Sequence, residues 1–160
     1  MALSRYINTI IIKVRCGVPL YLFKDANKSI MGGKKMKTIT IGNKQFNMKS
    51  SAYTQFKYKD ITGRTLIKDL TDLGKKYETF GDIKEEEALE RFDDLDEFIM
   101  TALRIAYIMS MEGKSFSGTF ENFLMEIDNY LENLDWIGEV VELALSPISR
   151  NLQAVQDNNN

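Results

Sequence analysis

Between Leu95 and Met111 the chain sets apolar residues around nearly the whole circumference of a would-be helix. Leu95, Phe98, Ile99, Met100, Ala102, Leu103, Ile105, Ala106, Tyr107, Ile108, Met109 and Met111 leave Arg104 as the only interruption in the middle. A helix that is apolar all round is either buried at the centre of a fold or held at an interface. The segment is therefore predicted to be the central helix, closed by Gly113, with the other elements arranged to cover it.

Those elements follow from local patterns. Lys37 to Ile41 alternates, with Ile39 and Ile41 on one face, and Gln45 to Lys49 alternates again, with Phe46 and Met48 together. Gly42-Asn43 lies between them and tolerates positive φ, so the stretch predicts a β-hairpin. Two strands alone are not stable, so one face must rest on helices. Ser50 or Ser51 is a suitable N-cap for a helix over about Ala52 to Ile61, ended by Gly63. Ala52, Tyr53 and Phe56 share one face of it and Tyr58 does not. A second helix is expected from about Arg64, with Leu66, Leu70, Leu73 and Tyr77 as its apolar stripe.

Beyond the central segment, Thr119 caps a predicted helix carrying Phe120, Phe123, Leu124, Ile127, Leu131 and Leu134. Asp135 caps a last one, lined by Trp136, Ile137, Val140, Val141 and Ala144 and stopped by Pro147. Residues 153–160 read as a disordered tail. The fold class is mainly α: a short N-terminal β-hairpin packed on a bundle of about five helices.

The missing residue types narrow the chemistry. The chain has no histidine, the commonest general base and transition-metal ligand. Cys16 is the only cysteine, so there is no disulfide framework or Cys-rich zinc site. GxSxG, GxxxxGK[ST] and GxGxxG motifs are absent. The expectation is a protein that binds other proteins and is not an enzyme, with no cofactor and no metal. The run Asp93-Asp94-Leu95-Asp96-Glu97 lacks the alternate carboxylates and central glycine of an EF-hand loop. The acidic residues of 78–97 read as a solvated face or linker, with a docking patch for a basic partner as the sharper reading. The apolar stretch at Ile10 to Ile12 is broken by Lys13 and Arg15, which argues against a membrane span or secretory signal. The expected location is the cytoplasm.

Residues 1–35 hold seven basic residues and one acid, a net +6, whereas the remainder carries −8. Three readings stand for this basic extension: an arm for nucleic acid or an acidic partner, an ordinary element packed on the main domain, or a stretch not natively translated. The last is preferred. Gly32-Gly33-Lys34-Lys35 can be encoded by a GGAGG run followed by adenines, a ribosome-binding site at a sensible distance from a start codon at Met36.

The order of parts in residues 36–152 resembles the tail assembly chaperones of long-tailed (siphovirus-type) phages and prophages of Gram-positive bacteria. The resemblance runs through the hairpin Met36-Lys37-Thr38-Ile39-Thr40-Ile41-Gly42-Asn43-Lys44-Gln45-Phe46 and the helix from Tyr53 to Arg64. It continues through an acidic linker, the apolar helix from Leu95 to Met111, and the Phe-rich Phe120-Glu121-Asn122-Phe123-Leu124. It is one of pattern and order, without an invariant signature. It implies a protein that binds the tape measure protein, keeps it soluble, and promotes polymerisation of the tail tube protein around it. Such a chaperone works in the cytoplasm of the bacterial host, is absent from the mature virion, and often has a longer form made by frameshifting.

The residues are compatible with that role, because methionine adapts to irregular apolar partners. Met109, Met111 and Phe116, where the central helix meets a Gly/Ser-rich loop, and Trp136 are the candidate partner-binding residues. The competing reading places all four in the core, where Met and aromatic residues at helical spacing are usually found. Homo-oligomerisation is open. The rival functions are a minor structural tail protein and a small nucleic-acid-binding phage regulator. The acidic main domain opposes phosphate binding, so neither nucleic acid nor membrane is an expected partner.

Overall fold

The structure is a computed structural model that describes residues 36–72, 92–133 and 135–157. The basic extension 1–35, most of the acidic region, Leu73, Tyr77 and Leu134 lie outside the described residues. Two strands, β1 (Met36–Ile41) and β2 (Lys44–Lys49), form an antiparallel hairpin. Among the described residues five helices follow: α1 (Ala52–Thr62), α2 (66–72), α3 (Phe92–Glu112), α4 (Phe120–Met125) and α5 (Asp135–Asp157). The predicted class, a hairpin on a helical bundle, is the one observed.

The hairpin register pairs Ile39 with Phe46 and Lys37 with Met48 across the Gly42-Asn43 turn. Ile39, Ile41, Phe46 and Met48 are fully buried. α3 packs beneath β2 and α5 beneath β1, so the sheet has one dry face. Between Phe98 and Ser110 of α3, every residue except Met100 and Arg104 is buried. Its two buried hydroxyls are satisfied within the helix, Thr101 donating to the Glu97 carbonyl and Ser110 to that of Ala106. Asp93 and Asp94 sit in its first turn, where the helix dipole favours negative charge.

Two expectations about the C-terminal part need correction. The apolar spacing from Phe120 to Leu134 does not make one helix; α4 stops at Met125. Long-range contacts with the hairpin tip take the chain out of helical geometry. The Asp128 N–H donates to the Asn43 side chain, Asn43 Nδ2 donates back to the Asp128 carboxylate, and Asn129 takes φ 57°. Nor does Pro147 end the last helix, which runs on to Asp157 and into the stretch read as a tail. A proline removes the N–H that would bond the carbonyl four residues earlier. Here that carbonyl belongs to Leu143, and the Ser146 hydroxyl donates to it at 2.8 Å. Asp135 lies in the first turn, and Asn133 accepts its N–H.

Net charge divides along the chain. Residues 36–72 hold seven basic against three acidic side chains, +4; residues 92–157 hold three against thirteen, −10. The hairpin is held across this divide. Lys37 pairs with Glu139 and Glu142, Lys44 with Glu126, and Lys49 with Glu112. Each exposed pair contributes little, about 0–1 kcal/mol, but together they fix which helices the hairpin meets.

The turn glycine is required sterically. Gly42 has φ +59°, and a Cβ there would stand 1.7 Å from the Asp128 carbonyl oxygen. Gly63, the left-handed cap of α1 at φ +71°, has nothing within 4 Å of such a Cβ. Gly42→Ala is expected to destabilise by roughly 2 kcal/mol or more, through strain and the broken hairpin-tip contact. Gly63→Ala should cost only about 1 kcal/mol. Urea unfolding of both variants checks the difference.

Candidate interaction surface

α1 carries the largest exposed aromatic surface among the described residues, and its orientation follows from its start. Ser51 is the N-cap: its side chain accepts the Tyr53 N–H, and Thr54 Oγ1 accepts the Ser51 N–H, completing a capping box. Both hydroxyls also donate to Glu112 at the end of α3, Ser51 to one carboxylate oxygen and Thr54 to the other at 2.7 Å. That clamp turns Thr54 inward. One turn later Tyr58 follows it in, 1% exposed, and donates to Asp69 of α2 at 2.7 Å. Arg64 Nε holds the same Asp69 carboxylate at 3.1 Å and reaches Glu97 of α3 with Nη1.

The face shared by Ala52, Tyr53 and Phe56 points to solvent, because the polar handles of Thr54 and Tyr58 find partners inside. Phe56 is 67% exposed, Tyr53 is 48% exposed with its ring centroid 6.4 Å from that of Phe56, and Ile61 and Ile67 are exposed as well. Lys57 pairs with Asp60, whereas Lys59 and Lys68 make no ion pair among the described residues. Scattered exposed apolar residues are ordinary, but two adjacent exposed rings on one helix face, with the Lys57–Asp60 pair on the same helix, form a contiguous patch.

The four residues singled out from the sequence lie elsewhere. Met109 is fully buried in α3, and Met111 is half-buried against the core. Phe116 belongs to an aromatic cluster with Tyr107 and Phe123, at centroid distances of 6.0 and 5.3 Å. Trp136 is buried and its Nε1 donates to the Tyr130 carbonyl. In this conformation three of the four are enclosed in the core and none is at an open surface. The Gly/Ser-rich loop does not leave Phe116 free, because Tyr107 donates to the Gly118 carbonyl and Ser115 to that of Asn47, which pins the loop. Tyr53 and Phe56 were legible only as a pair on one face; their outward direction has no local sequence signal, because it follows from the bonds of Thr54 to Glu112 and of Tyr58 to Asp69.

Among the described residues no group of three or more Cys, Asp or Glu side chains is arranged to hold a metal ion. No buried side-chain polar atom among them lacks a hydrogen-bond partner. No described helix is long and apolar enough to cross a membrane. No known family matches the chain, and no curated protein or solved structure is significantly similar to it.

Tyr58 supplies a pH test of the packing beneath this surface. Burial, then the hydrogen bond to Asp69, then the charge of that carboxylate, raise its phenol pKa well above the ordinary value of 10.0. The unfolded chain therefore ionises this phenol at lower pH than the folded one. Its contribution to stability is whole below about pH 10 and is lost as pH rises further. Tyr58→Phe is expected to cost about 1.5–3 kcal/mol at neutral pH and to flatten the decline above pH 10, as read by urea unfolding along a pH series.

Proposed function

We propose that this protein is a tail assembly chaperone that binds the tape measure protein of a long-tailed phage or prophage, keeps it soluble, and promotes tail tube polymerisation around it. The observation that carries the reading is the outward aromatic face of α1 on a fold whose described interior is fully hydrogen-bonded and packed. A holdase needs apolar surface for an apolar helical client, and charge around it to stay in solution. Tyr53, Phe56, Ile61 and Ile67 supply the first, and Lys57, Lys59, Asp60 and Lys68 the second. The order of hairpin, capped helix, apolar helix and Phe-rich segment, which resembles that family, supports the same reading. The described residues sum to −6, which disfavours a nucleic-acid partner.

Met109, Met111, Phe116 and Trp136 enter the proposal as packing in or against the core. The client is proposed to meet Tyr53 and Phe56.

Co-expression with the tape measure protein encoded beside it tests the reading. The tape measure protein is expected to become soluble and to co-purify with the full chain. Tyr53→Ser combined with Phe56→Ser should reduce co-purification about tenfold or more, while leaving the thermal midpoint within a few degrees. A tape measure protein that stays insoluble beside the well-folded chain would sink the proposal.

A further inference from the structure

Resting on the chaperone reading, we infer that Arg104 recognises the client by receiving a carboxylate carried among apolar residues of the bound segment. Arg104 is the only charged residue of α3 between Glu97 and Glu112. It is partly buried, and its guanidinium lies over the Phe120 ring, with Cζ 5.6 Å from the centroid. It has no acid partner among the described residues. The other partly buried bases there all have one: Lys37 with Glu139, Lys44 with Glu126, Lys49 with Glu112 and Lys57 with Asp60. Arg104 alone is partly withdrawn from water without a counter-ion, the situation in which a charge gains most from meeting one.

The surroundings define what can meet it. No buried side-chain polar atom among the described residues lacks a partner, so the guanidinium nitrogens, which have none, reach solvent. Stacking on Phe120 orients the guanidinium plane, and its planar fork matches the two oxygens of a carboxylate. Met100, one turn earlier on the same side of α3, is also not buried, and with Phe120 it gives the cation an apolar border. The charge of Arg104 reaches the Tyr58 phenol on α1, and Tyr107, one turn further along α3, acts on Lys57. The cation therefore stands beside α1, whose outer face is proposed to meet the client. A segment seated on both sets apolar side chains against Tyr53 and Phe56 and an Asp or Glu against Arg104. That acid separates the client from other apolar helices, which two aromatic rings alone do not discriminate.

Co-expression of full-chain variants with the tape measure protein encoded beside this chain tests the role of Arg104 separately from the chaperone reading. Arg104→Gln should cut co-purification about tenfold or more, and Arg104→Lys, which keeps the charge without the planar fork, should lose several-fold. The thermal midpoint of each variant alone should stay within a few degrees, because no acid partner is given up. Limited proteolysis of the wild-type complex yields the bound client segment. Changing its acidic residues singly to Lys should, at one position, restore capture by Arg104→Glu. If the wild type captures the client and Arg104→Gln captures as much, Arg104 has no such role and the chaperone reading still stands. A midpoint lowered by about ten degrees or more in Arg104→Gln would assign the residue to this protein's own packing and overturn the inference, as would the lack of any rescuing position. A wild-type chain that captures nothing would remove both.

Discussion

A helix with apolar side chains on every side cannot exist alone in water, and covering α3 organises the rest of this molecule. The hairpin takes one flank with Phe46 and Met48, α5 takes another, and α1 lies along a third. The loop after α3 folds back so that Phe116, Phe120 and Phe123 gather around Tyr107. Few of these covering elements are independently stable. The hairpin is two strands, α4 is a single short helix, and α1 is polar enough to need its caps. Each is held chiefly by what it buries on α3, as is general for short helices and hairpins.

Polar contacts then decide orientation. Glu112, where α3 ends, accepts hydrogen bonds from both members of the capping box of α1, so one carboxylate sets where that helix begins and which face it turns inward. Asn43 and Asp128 do the same between hairpin tip and C-terminal loop. These contacts join residues 58 to 85 positions apart. They add little net energy beside the apolar burial, yet leaving any of their buried groups unpaired would be costly. The proposed surface on α1 is thus a by-product of Glu112: the clamp that takes Thr54 inward leaves Phe56 outside.

This distinction explains what the residues disclosed before the fold was known. Strict alternation around Gly42-Asn43 and the unbroken apolar circumference of α3 are local periodic patterns, and both elements were legible. The faces of α1 were not, since Thr54 and Tyr58 look polar until Glu112 and Asp69 are brought to them. Pro147 gave a correct local warning that Ser146 answers by occupying the Leu143 carbonyl. The spacing from Ile127 to Leu134 was helical in pattern, but a hydrogen bond to a residue 85 positions away prevailed. Met109, Met111, Phe116 and Trp136 could not be sorted into core or surface by spacing, because that depends on how the elements pack around them; for Phe116 it depends on the loop through Gly118 being pinned to Tyr107. The nature of any client is not a periodic property and was approachable only through the resemblance of the whole arrangement.

The hairpin is made early, but what it rests on is made late. Ser50, just after β2, donates to the carbonyl of Ala144, 94 residues further on. At about 5–20 residues per second, a ribosome needs roughly 5–20 s to make the intervening chain. Throughout that interval Ile39, Ile41, Phe46 and Met48 have no α5 to cover them, and α3 itself emerges only midway. The nascent hairpin segment therefore keeps its apolar side chains uncovered for far longer than the microseconds in which a hairpin forms. Completion of this fold is governed by translation rather than by the intrinsic speed of its pieces.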